Sequence, residues 1–196
     1  MHRLLGFLLI GGLASAADLT FTAGAQITPD KTAVNWQGLQ PQDSRIGPSA
    51  GVEYVFHVGT HHGIGFLVDY ANANTRLADF GFNTWTMTRL VFAPEYVYRF
   101  SAGKVSPFVK AGVGGMITIS GKASAPTAPG VGLDGRLDEI VGAGTSYRLS
   151  RHFRLLAEYD CHLFRNPDFT DHTWHPQRNE VSEPKIGLTY TFGGKE

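Results

Sequence analysis

The sequence predicts an all-β fold, an eight-stranded antiparallel up-and-down transmembrane β-barrel, and three observations predict it. Apolar and polar residues alternate along most of the chain, which is the period of a β-strand. The composition combines 24 Gly and 12% aromatic residues with only 17% charged residues, and such a balance excludes intrinsic disorder. Short and long connections follow one another between the alternating segments, as in barrels whose hairpins cross a membrane.

The charge and cysteine counts argue against several classes of partner and cofactor. Lys+Arg and Asp+Glu both number 17, so the formal net charge is zero. Nucleic-acid-binding domains normally carry a clustered basic excess, and we therefore expect no nucleic-acid partner. The single cysteine cannot form an internal disulfide, and no CxxC pair offers a structural zinc site. We expect no cofactor and no metal.

The N-terminal residues resemble a secretory signal peptide. Arg3 precedes an apolar run over residues 4–13, and an Ala-Ser-Ala sequence follows at residues 14–16. The apolar run is too short for a membrane-spanning helix. We therefore expect residues 1–16 to be removed as a signal peptide and residues 17–196 to form the barrel domain.

Eight segments of the remaining chain alternate as strands do. In the last of them, Ile186 and Leu188 share one face while Gly187 and Thr189 share the other. The predicted segments are 18–28, 46–58, 63–73, 85–100, 105–119, 137–149, 152–165 and 182–192. Pro94 lies inside the fourth segment, where it removes a ladder hydrogen bond, and we expect a β-bulge there.

Each segment has an apolar face, which we expect to be free of charge, and an opposite face that is polar and rich in glycine. A soluble barrel would turn the apolar face inward, whereas a membrane barrel turns it toward lipid. In a membrane, each basic side chain turned to lipid near the midplane would cost about 2–4 kcal/mol. Several such residues would cancel a typical folding stability of about 5–15 kcal/mol, so the charges of a membrane barrel must point inward.

The connections and the aromatic residues favour the membrane barrel. We predict short links near residues 59–62, 102–104 and 150–151, and long ones at 29–45, 74–84, 120–136 and 166–181. Aromatic residues collect at both ends of the apolar faces, as in the interfacial girdles of membrane barrels. Those near the short links include Phe56, Tyr98, Phe100, Tyr147, Tyr190 and Phe192, and those near the long links include Tyr70, Phe82 and Trp85.

The polar faces carry acids and bases that we expect to form a charge network in the lumen. An eight-stranded barrel is only wide enough for side chains to fill it, so a salt-bridged plug is favoured over a narrow pore, which remains an alternative. The predicted network contains Glu53, Asp69, Arg89, Glu95, Arg99, Lys110, Arg148, Arg154, Glu158, Asp160 and His162.

Residues 17–196 resemble the small OmpA/OmpX-like outer-membrane β-barrels. The resemblance rests on the export segment, on the strand SPFVKAGVG at residues 106–114 and on the closing IGLTYTF at residues 186–192. It implies the cell outer membrane as the location, insertion by the outer-membrane assembly machinery, contact with lipid and lipopolysaccharide, and a monomer. The family favours a terminal aromatic strand, whereas Phe192 here is followed by four further residues.

The resemblance implies a structural or surface-interaction role through long extracellular loops rather than an enzyme, with the extracellular partner undefined. Trp36 and Trp174 in the long connections are candidate contact residues. The alternative is a lipid A-modifying deacylase, whose branch of the family carries a His-x-Ser-Asn motif. His162 matches the histidine, but Phe164 stands in place of the nucleophilic serine. His162 with Asp160 or Glu158 remains a candidate base–acid pair.

Overall fold

The computed structural model describes residues 16–28, 45–77, 83–120, 133–165 and 178–193. These residues form eight antiparallel strands that close into an up-and-down barrel, which confirms the predicted fold class. The strands are β1 (Ala17–Thr28), β2 (Arg45–Val58), β3 (His62–Leu77), β4 (Asn83–Arg99), β5 (Val105–Ser120), β6 (Leu133–Arg148), β7 (Phe153–Arg165) and β8 (Arg178–Phe192). No helix in this part of the chain is long and apolar enough to cross a membrane.

The two ends of the barrel differ in their connections. The first strand closes the barrel by pairing with both β2 and β8, so that Ala17 lies opposite Phe56 on one side and Phe192 on the other. The same end, here named the short-turn end, carries the connections 59–61, 100–104 and 149–152, and Gly59 adopts a φ of 75° that favours glycine. The connections at the opposite end are residues 29–44, 78–82, 121–132 and 166–177, which lie outside the described residues.

The outer wall of the barrel is apolar, whereas the interior holds the buried charged and polar side chains. Along β8, Ile186 and Leu188 are 71% and 43% exposed, whereas Lys185 and Thr189 are both 3% exposed. The same alternation runs around the barrel, because successive side chains of a strand point to opposite faces. A continuous exposed apolar wall of this kind fits a lipid environment, as predicted, and not water.

Aromatic rings cluster on the outside at the short-turn end. Tyr190 contacts Phe192 with ring centroids 4.8 Å apart, and Tyr98 contacts Phe100 at 5.2 Å. Amphipathic rings at this height fit the interfacial girdle that the sequence predicts. At the opposite end Tyr70 is exposed. Phe82, Trp36, Trp174 and the side chain of Trp85 lie outside what the structure describes.

Several strands are longer than the alternation predicts, and one predicted long connection is wrong. The ladder between β3 and β4 continues to the pair Leu77–Asn83, which leaves only residues 78–82 between the strands instead of 74–84. Two further strands also extend by four residues at this end, since β6 begins at Leu133 and β8 at Arg178. The parts of a strand beyond the hydrocarbon layer need no apolar face, so they leave no period-2 pattern in the sequence.

The predicted bulge at Pro94 is also wrong. Phe92 pairs with Gly115 and Glu95 with Gly112 in the same register, and only the two intervening residues lack a partner on β5. The missing N–H of proline therefore interrupts the ladder without adding a residue. Pro184 interrupts the β1–β8 ladder in the same way, between the pairs Gly24–Lys185 and Ile27–Ser182.

Among the described side chains of the predicted segments, the expectation that the apolar faces carry no charge fails at one residue. Glu139 points outward and is exposed, directly opposite Leu163 on β7. Glu180, which lies in the unpredicted extension of β8, faces outward on the other side of Leu163 and accepts a hydrogen bond from the Cys161 thiol at 3.4 Å. Both acids lie toward the end opposite the short turns.

Candidate functional site

The interior of the barrel is filled by side chains that form apolar and charged layers. Two apolar clusters occupy it: a lower cluster nearer the short-turn end, formed by Val55, Val97, Phe108 and Leu156, and an upper cluster, formed by Leu67, Val91, Ala93, Met116, Ile140, Phe164 and Val181. Each residue of the lower cluster is followed, two positions further into its strand, by a charged residue. Those charged residues are Glu53, Glu95, Lys110 and Glu158, all of them buried.

Lys110 is the cation at the centre of this charged layer. Its ammonium lies 3.0 Å from a carboxylate oxygen of Glu158, 3.0 Å from Asp160 and 3.7 Å from Glu53. Glu53 belongs to β2 and the other two acids to β7, so one side chain of β5 joins strands on different sides of the lumen. Buried charges are tolerated when they are paired in this way.

A second group of ion pairs lies next to the first. The ammonium of Lys185 is 2.7 Å from Asp69 and 2.8 Å from Glu183, and it also contacts Asp160 at 3.3 Å. Arg89 donates to both Asp69 and Glu183. Asp160 contacts Lys185 as well as Lys110, so the two groups form one continuous network, here named the central network.

His162 belongs to the central network rather than to a base–acid pair with Asp160 or Glu158. Its Nδ1 lies 2.6 Å from a carboxylate oxygen of Asp138, and its Nε2 lies 3.6 Å from Glu183. The imidazole is fully buried, and both of its ring nitrogens face carboxylates. Phe164, at the position of the family's nucleophilic serine, packs in the upper apolar cluster.

One group in the central network has the donor atoms of a metal site. Ligand atoms of Asp69, His162 and Glu183 all lie within 4.8 Å of one another. The same two carboxylates already contact Lys185 and Arg89, so these side chains supply the positive charge that a cation would bring. His61 and His62, beside a short turn, contact the Arg99 carbonyl and the Tyr96 hydroxyl.

Inward-facing glycines make room for the long side chains of the network. A Cβ at Gly142 would collide with an oxygen of Asp160 and would lie 2.9 Å from Cε of Lys110. A Cβ at Gly51 would lie 2.9 Å from an oxygen of Asp69. Pairing a glycine with a charged neighbour on the next strand therefore lets the network fit inside a barrel of this size.

A smaller charged group lies at the short-turn end of the interior. Arg99 donates to Asp18 at 2.5 Å, and His57 lies 3.0 Å from the same carboxylate oxygen. Arg154 donates to the hydroxyl of Ser146 at 3.3 Å. Asp18 is buried, whereas Arg99, His57 and Arg154 are only partly shielded, in contrast to the central network.

The structure places ten of the eleven predicted network residues on the inner face. Arg148 is the exception, since it is exposed at the rim and donates to the carbonyl of Ala102 at 2.7 Å. Its position as the last residue of β6 lets the side chain turn out of the barrel. The prediction omitted four inward charged residues that follow the same parity: Asp18, Asp138, Glu183 and Lys185.

A closed eight-stranded barrel with an exposed apolar wall and a charged interior defines the class of transmembrane outer-membrane barrels. Residues 4–192 match the family described as the outer membrane protein beta-barrel domain. The chain belongs to this family, and its location is the outer membrane.

Solved structures share the fold at low sequence identity. Neisserial surface protein A (NspA) has a TM-score of 0.59 and 13% identity, over 90% of this chain and 96% of that one. Ail, the attachment invasion locus protein of Yersinia pestis, in complex with the heparin analogue sucrose octasulfate, has a TM-score of 0.54, 13% identity and coverages of 90% and 98%. OprG from Pseudomonas aeruginosa has a TM-score of 0.50 at 12% identity, with coverages of 90% and 96%. No curated protein sequence matches the chain.

Proposed function

We propose that this protein is a non-conducting outer-membrane barrel with a structural or surface-interaction role, in which the central network and the two apolar clusters plug the lumen. The long connections would face the outside of the cell and supply the contacts, while the outer wall meets lipid and lipopolysaccharide. Insertion would depend on the outer-membrane assembly machinery. The single observation that carries the proposal is the filled interior.

The filled interior argues against a pore because ions would have to cross apolar layers and break ion pairs. The lower apolar cluster combines residues from four strands, and the cavity beside it has a volume of about 20 Å³. That is room for about one water molecule. Lys110 and Lys185 each contact at least three carboxylates, so a permeating cation would have to displace a bound ammonium.

Planar-bilayer recording tests the plug. We expect the purified barrel to give no discrete conductance steps over hours at moderate voltage. The variant V55G/F108A, which empties part of the lower cluster, shows whether the assay detects an opened lumen. Regular steps from the unmodified protein would contradict the plug and would favour the narrow pore.

The buried position of His162 argues against the deacylase. A lipid A-modifying enzyme must bring its nucleophile and base to a lipid in the outer leaflet, whereas His162 is 0% exposed and faces the lumen. Phe164 offers no nucleophile. We expect a deletion strain to have lipid A of unchanged acylation, whether complemented with the unmodified chain or with H162A. A change in acylation that depends on His162 would overturn the non-enzymatic proposal.

Loop replacement separates the structural role from the surface role. Residues 121–132 and 166–177 can be replaced by short Gly-Ser turns while the eight strands are kept. A structural role predicts that detergent sensitivity of a deletion strain is restored by both the full and the shortened barrel. A surface role predicts that cell attachment is restored by the full barrel alone. Loss of neither property on deletion would contradict both roles.

A further inference from the structure

The short-turn end of the lumen contains a second charged group that the plug does not require. Asp18 and Arg154 are each the second residue of their strands, Arg99 is the last residue of β4, and His57 is the last but one of β2. All four side chains line one cavity of about 330 Å³, here named the mouth cavity, which Thr60, Ala102 and Thr191 help to enclose. In outer-membrane barrels the short turns face the periplasm, so this cavity opens to that side.

Positive charge is in excess at the mouth cavity. Among the described residues that line it, Asp18 is the only acid, whereas Arg99 and Arg154 are both cationic. The carboxylate of Asp18 is already engaged by Arg99 at 2.5 Å and by His57 at 3.0 Å. Arg154 donates to the Ser146 hydroxyl at 3.3 Å, and its charge is repelled by those of Arg99 and Arg148 while Asp18 attracts it.

The mouth cavity ends inside the barrel instead of leading through it. Arg99, Arg154 and Ser106 lie in its wall, and the next residues inward on the same strands are Val97, Leu156 and Phe108 of the lower apolar cluster. A solute that enters from the short-turn end therefore meets two guanidinium groups above an apolar floor. This is the arrangement of a binding pocket and not of a channel entrance.

We propose that the mouth cavity binds a small oxyanion, the phosphate or carboxylate group of a soluble molecule on the periplasmic side. Arg154 supplies a guanidinium that forms no ion pair among the described residues and whose planar donors match such a group, and Arg99 adds a second positive charge. Removal of residues 1–16, which the sequence predicts, would place the amino group of Ala17 at the same mouth and strengthen the attraction. The inference goes beyond the plug, because it assigns a ligand to an end of the lumen that the plug leaves open.

Titration of the refolded mature barrel in zwitterionic micelles tests the proposal. Inorganic phosphate and acetate are the probes, and binding is followed by calorimetry and by shifts of the arginine side-chain NMR signals at constant ionic strength. We expect at least one of the two probes to bind at a single site. R154Q should weaken that binding by about tenfold or more, because a charge-assisted hydrogen bond is lost.

Two further variants keep the result interpretable. K104Q removes an exposed lysine at the same end, which lies over the Tyr147 ring and outside the cavity, and it should change the affinity by less than about twofold. D18N removes the competing carboxylate and should tighten binding. Heat-dependent gel mobility confirms that each variant is folded. No binding of either probe, or equal losses in R154Q and K104Q, would overturn the site. If the arginine signals shift when the micelles are doped with an anionic lipid but not when either probe is added, the ligand is a lipid headgroup and the proposal of a soluble anion is wrong.

Discussion

The central network and the mouth cavity are built from the same residue types but differ in the balance of charge. At the centre, Lys110 and Lys185 each contact three carboxylates and are almost completely buried. At the mouth, Arg99 and Arg154 have one carboxylate between them and remain partly exposed. Cations surrounded by acids stabilise the barrel, whereas cations in excess beside a cavity are available to a ligand. The number of partners, and not the kind of residue, separates the plug from the candidate site.

Removal of the central cation, Lys110, is expected to destabilise the barrel most. K110M leaves Glu53, Glu158 and Asp160 without their shared partner in a buried position, and we expect the free energy of unfolding to fall by about 3–5 kcal/mol. The measurement is urea unfolding of the barrel in phospholipid vesicles, analysed by linear extrapolation. K104M at the short-turn end is the matched control, with an expected loss of no more than about 1 kcal/mol. Equal losses in the two variants would show that the central ion pairs contribute nothing specific.

A double-mutant cycle sharpens this result. In K110M/E158Q one of the three carboxylates has lost its charge, so the double variant should be more stable than the sum of the single losses predicts. Strict additivity would mean that Lys110 and Glu158 do not interact, despite the 3.0 Å distance between their charged groups.

Arginine substitutions on the outer wall compare the middle of the barrel with its short-turn end. Val52 lies at the middle of β2 and is 39% exposed, whereas Leu149 follows the end of β6 and is 53% exposed. V52R should cost about 2–4 kcal/mol and L149R about 0–1 kcal/mol, because the cost of a charge in lipid depends on depth. The same vesicle unfolding assay measures both. Similar costs at the two positions would contradict the membrane placement of the wall.

The space around the central network gives a smaller expected effect. G142A places a Cβ against Asp160 and Lys110, and overpacking of this kind should cost about 1–3 kcal/mol. G115A is the control, since a Cβ at Gly115 meets no atom within 4 Å, and its effect should stay within about 0.5 kcal/mol. An equal response to both substitutions would show that the lumen is not tightly filled near Lys110.

The fold was predictable from the sequence because a two-faced strand in a membrane leaves a strong period-2 signal. Residues 186–192 show it clearly, and Ile186 and Thr189 indeed point to opposite sides of the wall. The signal fades where a strand leaves the hydrocarbon, so the alternation predicts a loop beyond Ala73 on β3, where the ladder in fact continues. The alternation also does not show how the strand responds to the missing N–H of Pro94. The ladder leaves two residues of β4 unpaired there and gains no extra residue.

The ion-pair partners inside the lumen could not be predicted from the sequence, because they depend on which strands face each other across the lumen. Parity alone places Lys110 and Asp69 inside, but not the contact of Asp69 with Lys185, which lies on a strand far along the chain. Asp138 follows the same parity and was readable, yet its pairing with His162 depends on the register between β6 and β7. Arg148 shows the limit of parity, because a residue at a strand end is free to turn outward.

The smallest expected change in the free energy of unfolding comes from Arg154 at the mouth cavity. R154Q removes a cation that has two like-charged neighbours, Arg99 and Arg148, against one attracting carboxylate, Asp18, with which it forms no direct ion pair. We expect the free energy of unfolding to change by less than about 1 kcal/mol, or to rise, since repulsion is relieved and the hydrogen bond to Ser146 can be kept by the amide. The urea assay at low and high salt measures the difference, and any gain should shrink as salt screens the repulsion. A loss as large as that of K110M would mean that Arg154 is held by the fold as firmly as Lys110. The excess charge at the mouth would then be part of the plug and not open to a ligand.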